Sequence, residues 1–393
     1  MRLCVFPNDP MRAYLAKGEV KQRYFNPGEL FDEVHVISLA DDDVEPAAVQ
    51  ETAGRAKLFI HPVGAIGLSV LPRLSRYRDR VLALLEELRP DVTRAYNPLF
   101  PGWLAVSCAR VLAIPSVVSL HGNFDQDVRE LYWREGRLLH WLKYAPFAWT
   151  SEPYVLRHAD HVICAYRFPV EYARRHGAKN LTVIYNRVDL ERFAPVPRAE
   201  RTGELTVLSV GRRDPEKNHA CLIRALDGLD GVRLRIIGAG KEAARLRRLA
   251  ERLGLSRRVE FIGAIPHRDI HAEYQRADAF AIATRYGGVH IPVLEAMASG
   301  LPLVLPRPWW EPEPELAAPA ALVVENTPAE FRQAFRCLRD QPGLRQRLGR
   351  LARERIEPLG AGEMETRERR VYDTLLGAGR SSGIPAEPAA AEV

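Results

Sequence analysis

The chain has 393 residues, 47% of them hydrophobic and 27% charged. At roughly 100 to 200 residues per domain this predicts two domains, each able to bury its own core, and excludes a wholly disordered chain. The 29 prolines and 27 glycines exclude collagen-like and low-complexity architectures, and a formal charge of +6 favours polyanionic partners: nucleic acid, anionic lipid or phosphorylated small molecules.

The N-terminus, Met1-Arg2-Leu3-Cys4-Val5-Phe6-Pro7-Asn8-Asp9, is too short an apolar run for a signal-peptide core, so a chain that is not exported is expected. Five scattered cysteines, Cys4, Cys108, Cys164, Cys221 and Cys337, include no Cys-x-x-Cys pair and fit free thiols in a reducing cytoplasm. No window approaches the 18 or so uninterrupted apolar residues of a membrane span.

From Leu3 to about Asn186 short β-branched runs alternate with helical patterns, the rhythm of βαβ units on a parallel sheet. Strands are expected at Leu3 to Phe6, Glu33 to Ser38, Lys57 to Pro62, Val92 to Ala95, Ser116 to Leu120, His161 to Ala165 and Thr182 to Tyr185. Within this half, residues 131 to 149 read as one helix, with Leu131, Leu138, Leu142 and Ala145 on one arc and Trp133, Arg137, His140, Lys143 and Tyr144 elsewhere. Such a helix ordinarily covers a domain; the competing reading is a membrane-surface element, and a peripheral contact with an anionic membrane is the expectation it leaves.

The segment Ala194-Pro195-Val196-Pro197-Arg198 lacks periodicity and suits a linker, after which a second βαβ series begins. Its strands are expected at Leu205 to Val210, Arg233 to Ile237, Val259 to Ile262, Ala279 to Ala283, Pro302 to Leu305 and Ala321 to Val324. The fold class is therefore α/β, with two doubly wound Rossmann-like domains facing a central cleft. Residues 1–192 are expected to form the first domain, 193–204 the linker and 205–360 the second. A helix over 361–377 is expected to pack back on the first domain, and 378–393 to form a disordered tail.

Two loops that follow strands carry the chemistry. Gly211-Arg212-Arg213-Asp214-Pro215-Glu216-Lys217-Asn218 is a glycine turn with cations feeding a helix, suited to phosphate oxygens, although a solvated charged turn looks the same. The second loop, Thr284 to Gly300, places Gly287, Gly288, Val289, His290 and Ile291 before Pro292 and Glu295. Its glycines permit close backbone approach and its helix start offers free N–H groups, while Glu295 suits a vicinal diol such as ribose. Complementarity to the helix dipole is the plainer role for that glutamate.

These loops, in this order, resemble the glycosyltransferase family 4 enzymes of the GT-B fold. The likeness extends through Val183-Ile184-Tyr185-Asn186-Arg187-Val188-Asp189, Ile236-Ile237-Gly238-Ala239-Gly240 and Val259-Glu260-Phe261-Ile262-Gly263, and is looser in the first half. The resemblance implies a retaining transferase with a nucleotide-diphosphate sugar as co-substrate and an unidentified acceptor, such as a cell-surface glycan, a glycolipid or a small metabolite. It implies that Arg212 and Lys217 neutralise the diphosphate beside Gly211, that Glu295 holds the ribose and that Gly263 and Ala264 meet the base. It also implies that His121, in His121-Gly122, lies near the donor sugar, although a structural histidine fits equally well. The chain departs from the family twice: Gly287 stands where a glutamate is usual, and Phe6-Pro7-Asn8-Asp9-Pro10 replaces a Gly-Gly loop.

Two other readings compete. Gly238-Ala239-Gly240-Lys241-Glu242-Ala243 has the G-x-G-x-x-A form of a dinucleotide-binding oxidoreductase, but no acid stands at the end of the next strand. The Gly287 departure motivates a GT-B protein that binds nucleotides without turnover. Nucleic acid is not expected as a partner, because Arg245, Arg247, Arg248 and Arg252 lack interleaved aromatics. No metal site is expected either: His267 and His271 stand at i, i+4 without a third ligand.

Overall fold

The computed structural model describes residues 1–65, 74–197, 203–285, 290–308 and 320–378. The first sheet holds β1 (Arg2–Phe6), β2 (Glu33–Ser38), β3 (Lys57–Pro62), β4 (Val92–Ala95), β5 (Ser116–Leu120), β6 (His161–Cys164) and β7 (Leu181–Val183). The second holds β8 (Leu205–Val210), β9 (Val232–Ile237), β10 (Val259–Ile262), β11 (Ala279–Ala281), β12 (Leu303–Pro306) and β13 (Ala321–Val324). Their orders are β3-β2-β1-β4-β5-β6-β7 and β10-β9-β8-β11-β12-β13, with every pairing parallel. Each order reverses beside its first strand, so the crevices for ligands open at the carboxyl ends of β1 and β4 and of β8 and β11.

Alternation along the strands divides the core. Cys4 and Phe6 of β1 join an outer cluster with Leu104, Val106 and Val118, whereas Leu3 and Val5 join a cluster shared by both domains. Leu205 and Val207 of β8 pack with Leu222, Phe331 and Phe335 on the far face of the second sheet, and Leu208 turns to the shared cluster. Phe193, at the start of the linker, is buried in that shared cluster with its ring edge-on to Tyr274 at 5.4 Å.

The helix Ala361–Ala378 returns to the first domain. Tyr372 meets Phe31 edge-on at 5.2 Å, and Glu368 binds buried Arg94 at 3.1 Å and Arg187 at 2.7 Å. Glu365 accepts from Arg23 at 3.0 Å and from the Gly28 amide at 2.8 Å. Buried pairs of this kind need partners on both sides, so they fix where the returning helix sits. The cysteines are unpaired, and burial raises the thiols of Cys108 to about 11 and of Cys164 and Cys221 to about 12. The expected tail lies outside the described residues beyond Ala378.

Residues 131 to 149 do not form the single helix that their periodicity predicts. Leu131–Arg134 and Leu138–Tyr144 are separate helices, followed by a 3-10 turn over Ala145–Ala148. Gly136 takes a left-handed φ of 65°, which no continuous helix tolerates, and Pro146 lacks the N–H that would extend the second helix. The break takes Leu138 and Leu142 off the buried arc: each is 52% exposed, while Leu131 and Ala145 stay buried.

Candidate nucleotide site

The loop after β8 is shaped from beneath by two glycines. A Cβ on Gly238 would stand 2.2 Å from the Gly211 carbonyl oxygen, and one on Gly240 would stand 2.6 Å from the Arg213 backbone; both have positive φ, 134° and 157°. The Gly-Ala-Gly turn that resembles a dinucleotide fingerprint is thus occupied in supporting the neighbouring loop. Arg213 is the buried arginine of the pair. Its amide donates to Ala239 at 2.8 Å, its guanidinium donates to the Ile262 carbonyl, and it lies over Phe261 at 5.6 Å. Arg212 is the one turned outward, with its side chain 70% exposed and 3.2 Å from Asp214. Lys217 ends the turn Pro215–Lys217 and lays its aliphatic stem against Gly211, where an added Cβ would stand 3.7 Å from Cδ.

Asn218 and Asn326 tie this loop to the one after β11. Asn218, at a left-handed φ of 49°, donates to Asn326 Oδ1 at 3.3 Å; Asn326 donates to the carbonyls of Ala283 at 3.1 Å and Thr284 at 2.9 Å. The loops thus flank the point where the second sheet reverses its strand order. Gly287, Gly288 and Val289 lie outside the described residues. His290 is the N-cap of the helix Ile291–Ala298 and accepts from the amides of Val293 at 2.9 Å and Leu294 at 3.2 Å. The helix holds Pro292 in its first turn, where a missing N–H costs little.

Glu295 is buried one turn further on. His267 Nε2 donates to its Oε1 at 2.8 Å and the Tyr274 hydroxyl to its Oε2 at 2.7 Å. Two of the carboxylate's roughly four lone-pair sites are thereby taken. His267 and His271, the i, i+4 pair, both face the Phe193 ring, at 6.1 and 6.4 Å. Gly263 and Ala264 follow β10 and are exposed, with open space where a Gly263 Cβ would stand.

Across the cleft, His121 follows β5 and stacks on Tyr96, with centroids 6.2 Å apart and planes 17° apart. Burial, and then the Arg94 charge, lower its pKa to about 4, so the ring is neutral near pH 7. Its Nε2 is buried and has no hydrogen-bond partner among the described residues. Lys21, also from the first domain, feels Glu295 and Glu19; burial nonetheless lowers its pKa. On one rim Arg137 binds Glu216 at 3.1 Å and Arg285 binds Glu135 at 2.5 Å, and on the other the His267 amide reaches the Gly18 carbonyl at 3.3 Å.

The sequence reading did not single out Arg213 as an anchor, Asn326 as a pin, Tyr274 as a partner of Glu295, or Tyr96. Only Arg213 carried a local signal, as the second cation after Gly211; the others act through contacts distant in sequence.

Family profiles match both halves: "Glycosyltransferase Family 4" over residues 29–192 and "Glycosyl transferases group 1" over residues 192–355. The chain belongs to the family 4 glycosyltransferases. Among its relatives, the glycogen synthase of Mycobacterium tuberculosis is 29% identical over 280 residues, which is 68% of this chain and 64% of that protein. The GDP-mannose-dependent alpha-(1-6)-phosphatidylinositol monomannoside mannosyltransferase of Mycolicibacterium smegmatis is 35% identical over 159 residues, 36% of this chain and 42% of that one. The matched stretch therefore spans less than two-thirds of either relative. Anabaena HepE in complex with UDP and glucose superposes with a TM-score of 0.71 at 16% identity, covering 95% of this chain and 99% of that one. Sucrose-phosphate synthase from Thermosynechococcus elongatus does so with a TM-score of 0.71 at 17% identity, covering 96% and 100%. These likenesses establish the fold of this family 4 member as GT-B. With its glycines explained by packing, the oxidoreductase reading loses its motif.

Proposed function

We propose that the chain is a retaining glycosyltransferase that moves a hexosyl group from a nucleotide-diphosphate sugar to an acceptor hydroxyl. The observation that carries this reading is the pair of loops pinned by Asn326 at the strand-order reversal of the second sheet, together with His121 just past β5 of the first, whose buried Nε2 has no partner among the described residues. Arg212 and Lys217 hold the diphosphate, and the positive end of the helix Ile291–Ala298 adds to their field. Glu295, oriented by His267 and Tyr274, accepts from the ribose with its remaining lone pairs, and the backbone at Gly263 and Ala264 meets the base. The neutral His121 bonds a hydroxyl of the donor sugar.

As the anomeric carbon–oxygen bond to the diphosphate breaks, negative charge collects on the leaving oxygen. Cations already in place stabilise it without reorganising, and that oxygen takes the acceptor proton as the new bond forms on the same face. Arg212 and Lys217 supply the counter-charge, so chelation is expected to leave the rate unchanged. The relatives named for glycogen synthesis and for GDP-mannose support a hexosyl donor, and the UDP complex of HepE supports a nucleotide in this cleft.

A second reading, binding without turnover, is favoured by Gly287 standing where the family usually has a glutamate. One experiment separates the two. The chain is incubated with UDP-glucose, GDP-mannose and ADP-glucose, with and without lysate-derived acceptors, and nucleoside diphosphate release is followed. Acceptor-dependent release is expected, with Gly287→Glu shifting the donor preference; saturable binding with no release for any donor would instead establish the second reading.

A further inference from the structure

Among the described residues nine large hydrophobic side chains are exposed, and five fall in one short stretch: Trp133 at 63%, Leu138 at 52%, Leu139 at 82%, Leu142 at 52% and Trp149 at 74%. The helix Leu138–Tyr144 buries none of its residues, and its three leucines are each at least half exposed. Soluble proteins rarely leave such a contiguous patch in water unless something docks there.

The chemistry of the patch selects the occupant. Tryptophan is the side chain that favours a water–hydrocarbon boundary, and Trp133 stands 5.5 Å from Trp141, so the indoles are grouped. The sixteen residues from Gly136 to Ser151 contain no aspartate or glutamate, in a chain where 50 of 393 residues are acidic. Lys143 sits in the middle of this run, 5.3 Å over the Tyr144 ring, and Arg134, at its edge with its side chain 59% exposed, pairs with Glu130 at 2.8 Å. Apolar residues around a lysine, in a run free of anions, complement an anionic bilayer surface. No helix among the described residues is long and apolar enough to cross a membrane, so the contact is superficial.

The patch is also rigidly mounted. Arg129 binds Glu152 at 2.7 and 2.9 Å and Asp125 at 2.9 Å beneath it, and Leu131 and Ala145 are buried at its two ends. Arg137, expected from the helical pattern to be available to lipid, is instead bound to Glu216, and with Glu135 it joins this segment to the donor loops.

We propose that residues 133–149 dock the chain on an anionic lipid bilayer through Trp133, Leu138, Leu139, Leu142 and Trp149, with Lys143 meeting the headgroups. Because Glu135 and Arg137 hold this segment to the loops of the second domain, the docked chain presents one rim of its cleft to the membrane. The inference is independent of whether the cleft transfers sugar.

The test is co-sedimentation of the full chain with vesicles of phosphatidylcholine alone or mixed with phosphatidylglycerol, at low and high salt. Binding is expected with phosphatidylglycerol present, weakened by salt. Trp133→Ser with Leu139→Gln should lower the partition coefficient about tenfold or more, and Lys143→Glu should remove most of the preference for the anionic lipid. All three positions are at the surface, so thermal melting and nucleotide binding should match the parent chain and show the variants folded. Failure to sediment with either vesicle, or sedimentation undiminished in the double variant, overturns the proposal. So does self-association by ultracentrifugation that the double variant abolishes in the absence of vesicle binding, which would make the patch an interface between copies.

Discussion

Lys217 and Arg213 differ in role although both are cations of one loop. Arg213 is spent on carbonyl and ring contacts inside the domain, whereas the Lys217 stem lies on Gly211. Lys217→Ala is therefore expected to lower kcat by about a hundredfold with melting unchanged, as for one lost donor to developing charge, and steady-state kinetics with a calorimetric scan check both halves. A solvated turn would leave kcat unaltered. Three histidines set an acid limit on stability. Burial lowers His121 and His161 to about 4 and His219 to about 3, against an ordinary 6.5. Below pH 6.5 the unfolded chain binds protons that the native chain refuses, so these groups support the fold fully above that pH, and their support is lost between 6.5 and about 4, or about 3 for His219. At about 1.4 kcal/mol per tenfold difference in proton affinity the combined loss is several kcal/mol, visible as a falling midpoint in denaturant titrations.

Elements were legible where their causes are local. The parallel strands announce themselves as short apolar runs, and each of the strands β1 to β13 begins within a residue of where the pattern places it. The stretch 131–149 misled because a helical wheel gives no weight to Gly136 and Pro146, and two breaks suffice to take Leu138 and Leu142 off the buried arc. In the site, Gly211, Arg212 and Lys217 were readable as a strand-to-helix turn. That Glu295 is held by His267 and Tyr274 was not, since those partners lie 28 and 21 residues away. Gly238 shows how misleading a local motif can be, for its glycine is required by the Gly211 carbonyl. Gly238→Ala should combine strain at positive φ with displacement of the Gly211 loop, lowering stability by about 1 to 3 kcal/mol and weakening nucleoside diphosphate binding as well. A variant that loses stability but retains full affinity in calorimetry would show that the turn does not shape the loop.

At the scale of the molecule, two rims and a shared core hold the domains together, and the rims differ in chemistry. One is a backbone contact, from the His267 amide to Gly18; the other is the ionic clasp of Glu135 and Arg137 with Arg285 and Glu216. Burial would raise the Glu216 carboxyl, but a backbone hydrogen bond and Arg137 together outweigh it and hold its pKa below the ordinary value. The clasp therefore persists as pH falls until the carboxylates protonate. Pairs at a partly wet rim contribute about 1 kcal/mol or less each, too little to hold the domains against their own motion but enough to bias it. Glu216 precedes Lys217, and the Arg285 amide donates to the Glu216 carbonyl at 2.9 Å, so releasing the clasp also loosens the loop after β8. Arg137→Ala should widen the cleft, increasing the radius of gyration in solution scattering without nucleotide, with added nucleoside diphosphate reversing most of the change. Its KM for donor should rise several-fold while kcat changes less, because the lost pairs organise binding and do not touch the reacting atoms. Exchanging the charges, Glu135→Arg with Arg285→Glu, should restore compactness where either change alone does not; if both single variants scatter like the parent chain, the clasp contributes nothing to closure.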